Sequence, residues 1–457
     1  MNKVKNNIKE MKNSFISVIG LGRSGVAIAR LANYLGSIVF ISDNSTSNSV
    51  KENLKSLKSI GIQGKIGGYT DKIFNTSLMV ISPGVAADSQ VVLNAQKRGI
   101  KVIGEIEFAS LFTASPIIGV TGSNGKSTTV HALAEMCQTK EIKGVLAGNV
   151  GIAFSEKVLE ELQNPDPKRV YILEISSFQM EFIKQFHPHI SIFLNISHDH
   201  LDRHKTFDNY LNAKLRLARN QTEHDYIIYN SDDQVLVKAF KIHKANKITF
   251  GPIFSELSSY SVKNSNIINK EYAKLTKLEN IRLPGQHNLY NLLAAASGAH
   301  CLGISDEKIA NVIKFFRGIP HRLENITKIN GIEYINDSKA TNIDAVKVAI
   351  ESYEKPIILI LGGLAKGNDF TELTRYYNKI KYIIAYGEAK EMIFKELSNK
   401  FTISKIELLK DAVKLSFQKA EKGDIVLLSP GCASFDQFKN FEDRGINFSQ
   451  WVRELNQ

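Results

Sequence analysis

The stretch Gly119-Val-Thr-Gly-Ser-Asn-Gly-Lys-Ser-Thr-Thr129 decides the fold of this chain. The apolar segment Pro116-Ile-Ile-Gly119, which has strand character, leads into it, and residues 130–137 after it have helical spacing. A strand, a glycine-rich turn and a helix beginning near Lys126 form a phosphate cradle, because backbone N–H groups and the positive helix end face the anion. Lys126 adds a mobile charge and Ser127 an oxygen for Mg²⁺. The stretch therefore predicts a nucleoside triphosphate site.

The match to the usual P-loop is imperfect at its first glycine. That position holds Val120, Gly119 stands one residue early and Gly122 is additional. The alternative is a glycine-rich turn that binds nothing. The triphosphate site is favoured because Gly-Lys-Ser-Thr at a helix start is uncommon by chance.

Length and composition limit the class of protein. A chain of 457 residues is too long for one ordinary core, so two or three domains are expected. No apolar run approaches the roughly 20 residues of a membrane span, and the lysine-rich N-terminal tail lacks the apolar core of a signal peptide. Three widely spaced cysteines indicate neither a disulfide framework nor a zinc site. We expect a cytoplasmic protein without membrane insertion.

The net charge of +12 has two interpretations, a nucleic-acid groove or a solvated surface. Lysines are scattered along the whole chain rather than clustered. This distribution favours a solvated surface with some attraction for anionic substrates.

The first domain carries a dinucleotide-fold fingerprint. A predicted strand over 14–20 runs into Gly20-Leu-Gly-Arg-Ser-Gly25, then a helix over 26–35 and a strand over 38–43 that ends in Asp43. Taken alone, it indicates an NAD enzyme. Physically it predicts only a pyrophosphate on a helix N-terminus, which a UDP-sugar also offers.

A further predicted strand, 78–81, ends in Ser82-Pro83-Gly84. This turn lies either at the ligand edge of the sheet or in a turn without function. The domain is expected to span residues 1–104.

The second domain, expected over 105–318, has apolar strands at 170–175, 191–195 and 226–230, separated by helical segments. This order predicts a parallel α/β sheet. Glu174 stands in the first of these strands, where burying an acid is costly unless a partner such as Mg²⁺ pairs with it. The alternative is an acid at a surface edge.

Three further groups of polar residues are candidates. The loop 198–203 holds several titratable side chains and is either a site or a charge-rich loop without function. In the amphipathic segment 209–218, the pattern alone favours a solvated Lys214. His287, Asn288 and Asn291, at the start of an alanine-rich helix, offer amide edges to a base or merely cap that helix.

Residues 318–324 are typical of a linker into a third domain, expected over 319–457. Its predicted strands end near Asn336, Leu361 and Leu428, each followed by small and polar residues. Such ends describe the ligand edge of a doubly wound sheet. The fold class is therefore α/β in three domains: a Rossmann-like N-terminal domain, a central P-loop ATPase domain and a Rossmann-like C-terminal domain.

With these motifs placed, the chain resembles the Mur ligase family of cell-wall synthesis from about residue 14 to its C-terminus. The motifs that carry the resemblance are Thr121-Gly-Ser-Asn-Gly-Lys-Ser-Thr128, Glu174-Ile-Ser-Ser-Phe-Gln179, His200-Leu-Asp-Arg203, Pro320-His-Arg322 and Asn336-Asp-Ser-Lys-Ala-Thr-Asn342. Residues 429–445 resemble the branch that adds D-glutamate.

The resemblance implies an ATP-dependent amide ligase of peptidoglycan precursor synthesis. ATP would phosphorylate the carboxylate of UDP-N-acetylmuramoyl-L-alanine, and the amine of D-glutamate would displace phosphate from the acyl phosphate. Because anions must meet, positive charge and magnesium carry most of such catalysis. The implied domain order is UDP-sugar, ATP and amino acid, in a monomer that binds no nucleic acid.

The resemblance also implies site residues. For catalysis they are Lys126, His200, Lys214, Arg322 and Lys339. For ATP they are Gly122, Ser123, Asn124, Gly125, Lys126, Ser127, Thr128, Asn288, Asn291, Arg322 and Asp337. For the UDP-sugar they are Gly22, Ser24, Asp43, Ser82, Gly84 and Asn149, and for D-glutamate Lys339, Thr341, Lys366, Ser434 and Phe441. For two Mg²⁺ ions they are Ser127 and Glu174, and His200 with Lys214 as a carbamate.

The sequence departs from the family pattern at one place, and three alternative functions stay open. Asn44-Ser45 stand where some members have Thr-Arg, so the grip on uridine is not predicted. A folate polyglutamate ligase shares the cradle, but the N-terminal fingerprint and residues 429–445 disfavour it. A nucleic-acid-stimulated ATPase would need clustered basic residues and a strand ending in paired acids. An NAD-binding regulatory module would leave the cradle unexplained.

Overall fold

The computed structural model describes residues 2–197, 201–253, 256–271, 273–283, 285–365 and 369–455. The chain divides into two compact units, Met1–Phe316 and Arg317–Gln457. The first unit contains two parallel sheets and a small antiparallel one, and the second contains one mixed sheet.

The N-terminal sheet has five parallel strands in the order β3-β2-β1-β4-β5. Its strands are β1 Phe15–Ile19, β2 Ile38–Asp43, β3 Gln63–Ile66, β4 Leu78–Ile81 and β5 Lys101–Gly104. The helices of this region are α1 Asn2–Met11, α2 Arg23–Tyr34, α3 Asn48–Lys58, α4 Gln90–Lys97 and α5 Glu105–Ser110. Strands β1 and β4 are apolar along most of their length because a parallel sheet is covered on both faces.

The middle sheet has six parallel strands in the order β11-β10-β9-β6-β8-β7. They are β6 Ile117–Thr121, β7 Lys143–Gly148, β8 Arg169–Glu174, β9 Ile190–Phe193, β10 Tyr226–Asn230 and β11 Asn246–Phe250. A three-stranded antiparallel sheet follows: β12 Tyr260–Lys263, β13 Asn266–Asn269 and β14 Lys274–Lys277. The helices are α6 Lys126–Met136, α7 Phe154–Gln163, α8 Ser177–Met180, α9 Leu201–His204, α10 Phe207–Leu215, α11 Gln234–Phe240, α12 Gln286–Cys301 and α13 Asp306–Phe315.

The sheet of the second unit has the order β15-β16-β20-β17-β18-β19, and only β15 runs antiparallel to its neighbour. The strands are β15 Glu324–Ile329, β16 Ile332–Asn336, β17 Ile357–Gly362, β18 Ile380–Tyr386, β19 Ile403–Ile406 and β20 Ile425–Gly431. The helices are α14 Ile343–Glu351, α15 Lys390–Leu397, α16 Leu409–Lys419 and α17 Phe441–Glu454. Apolar clusters cover both faces of this sheet.

One continuous apolar core joins the N-terminal and middle sheets, from β1 through α5 to α7 and β8. Two buried acids reinforce this junction. Glu105 accepts the Ser155 N–H at 2.6 Å, and burial raises the pKa of the Glu105 carboxyl. Glu107 accepts backbone N–H groups of residues 184–186, at 2.8 to 3.0 Å. The two sheets of the first unit are therefore held together by both packing and hydrogen bonds.

The predicted α/β fold class is confirmed, and the strands that were predicted lie within three residues of their observed bounds. The apolar pattern did not reveal the more polar edge strands β3, β7 and β11. Among the described residues, no helix is both long and apolar enough to cross a membrane.

Candidate active site

The predicted phosphate cradle is a turn between β6 and α6. Gly122 has φ +159° and Gly125, the residue before the helix, has φ +86°, a left-handed conformation that favours glycine. A Cβ added at Gly125 would lie 2.1 Å from Oδ1 of Asn291, so the turn also needs glycine for space. The N-terminal N–H groups of α6 therefore lie at the carboxyl edge of the sheet, where an anion can accept hydrogen bonds from them.

Asn195 fixes the conformation of this turn. Its Oδ1 accepts the Asn124 N–H at 2.9 Å, and its Nδ2 donates to the Asn124 carbonyl at 3.1 Å. The Asn195 carbonyl also accepts the Ser123 N–H at 3.0 Å. No role was predicted for Asn195, although its place two residues after β9, the neighbour of β6, was a signal.

Two lysines converge on one carbonyl of the turn. Lys126 Nζ donates to the Gly122 carbonyl at 2.7 Å and to the Ser123 carbonyl at 2.8 Å, and Lys214 Nζ donates to Gly122 at 2.8 Å. Lys214 is only 2% exposed, and its Nζ lies 4.7 Å from the ring centroid of Tyr210. The interpretation of Lys214 as a solvated lysine is therefore wrong. It is a buried neighbour of the cradle.

Glu174 ends β8 beside the cradle, paired in register with Val120 of β6. It is 3% exposed, so the alternative of a surface-edge acid is wrong. Its Oε1 accepts Asn149 Nδ2 at 2.7 Å, whereas the buried Oε2 has no hydrogen-bond partner among the described residues. A buried carboxylate oxygen without a donor fits a cation.

Ser127, 9% exposed in the first turn of α6, supplies the second oxygen predicted for Mg²⁺. Within the described ranges no three His, Cys, Asp or Glu side chains cluster as a metal site. Magnesium bound beside a triphosphate needs only one or two protein oxygens, since phosphates and water supply the rest. His200, predicted for a second metal, lies outside the described residues.

Arg203, from the charge-rich loop, connects the middle sheet to the N-terminal one. It forms an ion pair with Glu181 at 2.9 Å and donates to the carbonyls of Pro83 at 3.4 Å and Val85 at 3.3 Å. The Ser82-Pro83-Gly84 turn is thus fixed to the middle domain. These contacts give Arg203 a structural role between the two sheets, and the choice between a site and a loop without function stays open for residues 198–203.

The nucleobase candidates lie on α12, which packs along α6. Asn291 is buried against Gly125, and Asn288 lies one turn earlier. The cap residue of the helix is Gly285, so neither asparagine occupies the cap position. Tyr290, on the same turn, donates a hydrogen bond to Asp232 after β10.

The second glycine-rich turn connects β1 to α2. A Cβ added at Gly25 would lie 1.8 Å from the Gly20 carbonyl oxygen and 3.0 Å from Ser82 Oγ, so only glycine fits. Asp43 accepts the Leu21 N–H at 2.6 Å through one oxygen and the Ser45 N–H at 2.7 Å through the other. Both oxygens of the predicted ribose acid therefore accept hydrogen bonds from the protein backbone.

The predicted UDP-sugar residues lie in loops that face each other. Gly22 caps α2, Ser24 is in its first turn, and Arg23 between them donates to the Asn149 carbonyl at 3.1 Å. Asn149 also donates to Glu174 at the end of β8, so this loop contacts both the first glycine-rich turn and that acid. The structure thereby connects the predicted UDP-sugar loop to the predicted metal acid.

In the second unit, Asp337 follows β16 and is 4% exposed. It accepts the Ser429 hydroxyl at 2.8 Å and the Leu323 N–H at 3.2 Å, and burial raises the pKa of its carboxyl to about 7. Arg322 is exposed and lies next to this carboxyl. It belongs to the turn 321–323, which is held by a hydrogen bond from the Lys339 N–H to the His321 carbonyl.

Three of the five predicted D-glutamate residues lie after strands of this sheet. Lys339 and Thr341 follow β16, Ser434 follows β20, and Phe441 begins α17. Lys366 lies outside the described residues.

Arg444 holds two of these strand ends together. It is fully buried and donates to Ser338 Oγ at 2.9 Å, the Ser338 carbonyl at 2.8 Å and the Cys432 carbonyl at 3.1 Å. Sequence analysis assigned Arg444 no role, because an arginine on a helix is normally an exposed side chain.

Comparison with known proteins agrees with these features. Three family models match the chain: "Mur ligase MurD-like, N-terminal domain" at residues 14–104, "Mur ligase middle domain" at 120–299 and "Mur ligase, glutamate ligase domain" at 321–432. The chain belongs to the Mur ligase family.

Two curated relatives carry the name UDP-N-acetylmuramoylalanine--D-glutamate ligase. The one from Thermoanaerobacter sp. (strain X514) is 39% identical and the one from Bacillus thuringiensis (strain Al Hakam) 36% identical, each over 98% of this chain and 99% of the relative.

The solved structures share the fold at low identity. UDP-N-acetylmuramate-alanine ligase MurC from Thermotoga maritima aligns with a TM-score of 0.54 at 16% identity, over 97% of this chain and 99% of its own. MurF ligase from Thermotoga maritima in complex with ADP aligns with a TM-score of 0.53 at 16% identity, over 98% and 97%.

Proposed function

We propose that this protein is the ATP-dependent ligase that joins D-glutamate to UDP-N-acetylmuramoyl-L-alanine in peptidoglycan precursor synthesis. The observation that carries the proposal is full-length similarity, at 36–39% identity, to relatives named for that reaction. The cradle supports it, because β6, the glycine turn and α6 offer backbone N–H groups and lysine to a triphosphate.

The reaction has two steps. A carboxylate oxygen of the UDP-sugar substrate attacks the γ-phosphorus of ATP, and ADP leaves. The amine of D-glutamate then attacks the acyl carbon, the amide forms, phosphate leaves and the nitrogen loses a proton. Each step brings negatively charged groups together, so positive charge placed beforehand lowers the barrier.

Lys126 is the residue we assign to the β- and γ-phosphates. Its ammonium already lies against the carbonyls of Gly122 and Ser123, at 2.7 and 2.8 Å, so it is held at the mouth of the turn. A phosphate oxygen would replace those carbonyls as the acceptor and would form a stronger, charge-assisted hydrogen bond with Lys126. Lys126 would then neutralise charge that develops during transfer of the phosphoryl group.

Magnesium fits the residues beside the cradle. Ser127 and Glu174 would hold it, since one is a hydroxyl at the helix start and the other has a buried carboxylate oxygen without a partner among the described residues. When bound, the ion would neutralise phosphate charge. Asn149 keeps Glu174 oriented through its 2.7 Å hydrogen bond.

A carbamate on Lys214, with His200, forms the second metal site of this proposal. Its supporting observation is burial beside Gly122, in a place where a metal would be repelled by an ammonium. A carbamate keeps one N–H, which can retain the bond to the Gly122 carbonyl, and adds oxygens of the kind that Mg²⁺ prefers.

The remaining assignments follow the domain order of the family. Residues 1–104 would hold the UDP-sugar through Gly22, Ser24, Asp43, Ser82 and Gly84, with Asn149 from the middle domain. Residues 105–318 would hold ATP, with Asn288 and Asn291 at the adenine. Residues 319–457 would complete the site with Arg322 and Asp337 and bind D-glutamate through Lys339, Thr341, Lys366, Ser434 and Phe441. We place the enzyme in the cytoplasm as a monomer.

Phosphate release from ATP tests the proposal. We expect release only when both UDP-N-acetylmuramoyl-L-alanine and D-glutamate are present, with one amide formed per phosphate. L-Glutamate serves as the matched control acceptor. Release stimulated by DNA or RNA would instead support a nucleic-acid motor, and release with a folate and L-glutamate would support a folate ligase.

A further inference from the structure

A basic groove lies between β14 and α13, in a part of the first unit that contains none of the residues assigned to the reaction. Its volume is about 780 Å³. The side chains that set its charge are Lys274 and Lys277 on β14, and Lys308, Lys314 and the single acid Glu307 on α13. Lys277 forms an ion pair with Glu279 at 3.1 Å. Among the described residues, the net positive charge of the groove therefore comes from Lys274, Lys308 and Lys314 against Glu307.

The β14 wall is the edge of the small antiparallel sheet. Its order is β12-β13-β14, so β14 pairs with β13 on one side only. Within the described part of the chain, no backbone hydrogen bond joins Lys274, Leu275, Thr276 or Lys277 to an element other than β13. β14 has four residues, carries two lysines and has an irregular register against β13 between Ile267 and Ile268. These features disfavour pairing with a like strand, so the unpaired N–H and C=O groups of this edge suit a peptide whose acidic side chains neutralise the lysines.

The α13 wall ends in an exposed aromatic ring between two cations. Phe315 is 42% exposed, with the Arg282 guanidinium 4.9 Å and the Lys314 ammonium 5.0 Å from its ring centroid. Among described residues, neither cation has an acidic partner. The end of the groove thus combines apolar surface with unneutralised positive charge.

We propose that this groove binds an extended acidic peptide segment of a partner protein, which pairs with the free edge of β14. Charge selects the occupant: the lysines would repel a second copy of this chain, which has a net charge of +12. Strand pairing gives affinity through the backbone, and alternating acidic side chains reach the lysines on the two walls.

Fluorescence anisotropy tests this with a labelled peptide of alternating glutamate and valine, and the full-length protein, at low ionic strength. We expect saturable binding by the parent protein. The double substitution Lys274→Glu with Lys308→Glu should weaken it about tenfold or more, because each change removes an attraction and adds a repulsion. Ligase activity should stay at the parent level, which shows that the variant is folded.

Two controls separate groove binding from general attraction. Lys55→Glu with Lys58→Glu makes the same charge change on exposed lysines of α3 and should leave peptide affinity within about twofold. A peptide of the same sequence, N-methylated at every backbone amide, should not bind, because it has no N–H group left on either edge to pair with a strand. Equal weakening by both double variants, undiminished binding of the methylated peptide, or tighter binding of single-stranded DNA would each overturn the proposal.

Discussion

The two glycine-rich turns of the first unit have the same topology but differ in the charged side chains beside them. Each follows a central strand and precedes a helix, β1 with α2 and β6 with α6. In the first turn, the carboxylate of Asp43 accepts the Leu21 N–H at 2.6 Å. In the second, the ammonium groups of Lys126 and Lys214 both donate to the Gly122 carbonyl.

This difference shows that the backbone of such turns does not decide the chemistry. Both turns direct a helix N-terminus to the ligand edge of a sheet, which suffices to hold a phosphate. In the first turn Asp43 accepts backbone N–H groups and Arg23 donates to the carbonyls of Asn149 and Gly151, so no lysine among the described residues there faces the ligand edge and that turn is suited to binding. Lys126 in the second turn places positive charge where a phosphoryl group would transfer, and such charge is what catalysis requires.

The largest expected effect is that of Lys126→Ala on turnover. Losing a charged contact made in the transition state should cost about 3 kcal/mol, or roughly a hundredfold in kcat, with an unchanged unfolding midpoint. Phosphate release under saturating substrates measures it. Turnover within about threefold of the parent would remove the cradle from the reaction. Arg23→Ala, which deletes the cation of the other turn, is the matched control and should mainly raise KM for the UDP-sugar.

The next effect concerns Lys214. Lys214→Ala should lower kcat about thirtyfold, by about 2 kcal/mol, and added acetate should restore part of it by occupying the vacated ligand position. Chloride at equal ionic strength is the control and should restore nothing. Full activity of Lys214→Ala, or equal rescue by chloride, would show that the second turn uses Lys126 alone.

The third effect tests whether the first turn depends on close packing. Gly25→Ala places a methyl group 1.8 Å from the Gly20 carbonyl oxygen, so α2 must shift. We expect a loss of about 1.5 kcal/mol in the free energy of unfolding, measured with urea. Gly22→Ala is the control, because a Cβ there has no atom within 4 Å. Equal losses in both variants would mean that α2 propensity, rather than packing, sets the effect.

The smallest effect separates the ligands of the first turn. UMP or UDP at about ten times its dissociation constant should raise stability by about 1.4 kcal/mol, which is a shift of a few degrees in Tm. NAD at the same concentration should give no shift. Protection by NAD alone would assign the first turn to a dinucleotide and break the proposed division of roles.

Sequence reasoning found the elements whose signals are local. Short runs of neighbouring residues define the glycine turns, the apolar strands and Glu174 at a strand end, so their patterns predict structure directly. It did not find Asn195, which braces the cradle from another strand, nor Arg444, which binds Ser338 from over a hundred residues away. The prediction for Lys214 failed for the same reason. Helical spacing shows that a helix has a polar face, but not whether another part of the fold covers that face.

The core that runs from β1 through α5 into α7 has a thermodynamic consequence. Family models separate residues 14–104 from 120–299, yet the buried apolar side chains of these two regions form one cluster. Regions that share a core open together, as one cooperative unit in hydrogen exchange and calorimetry. A nucleotide that binds the β1–α2 turn would therefore slow amide exchange in β6 and β8 as well, although it touches neither strand.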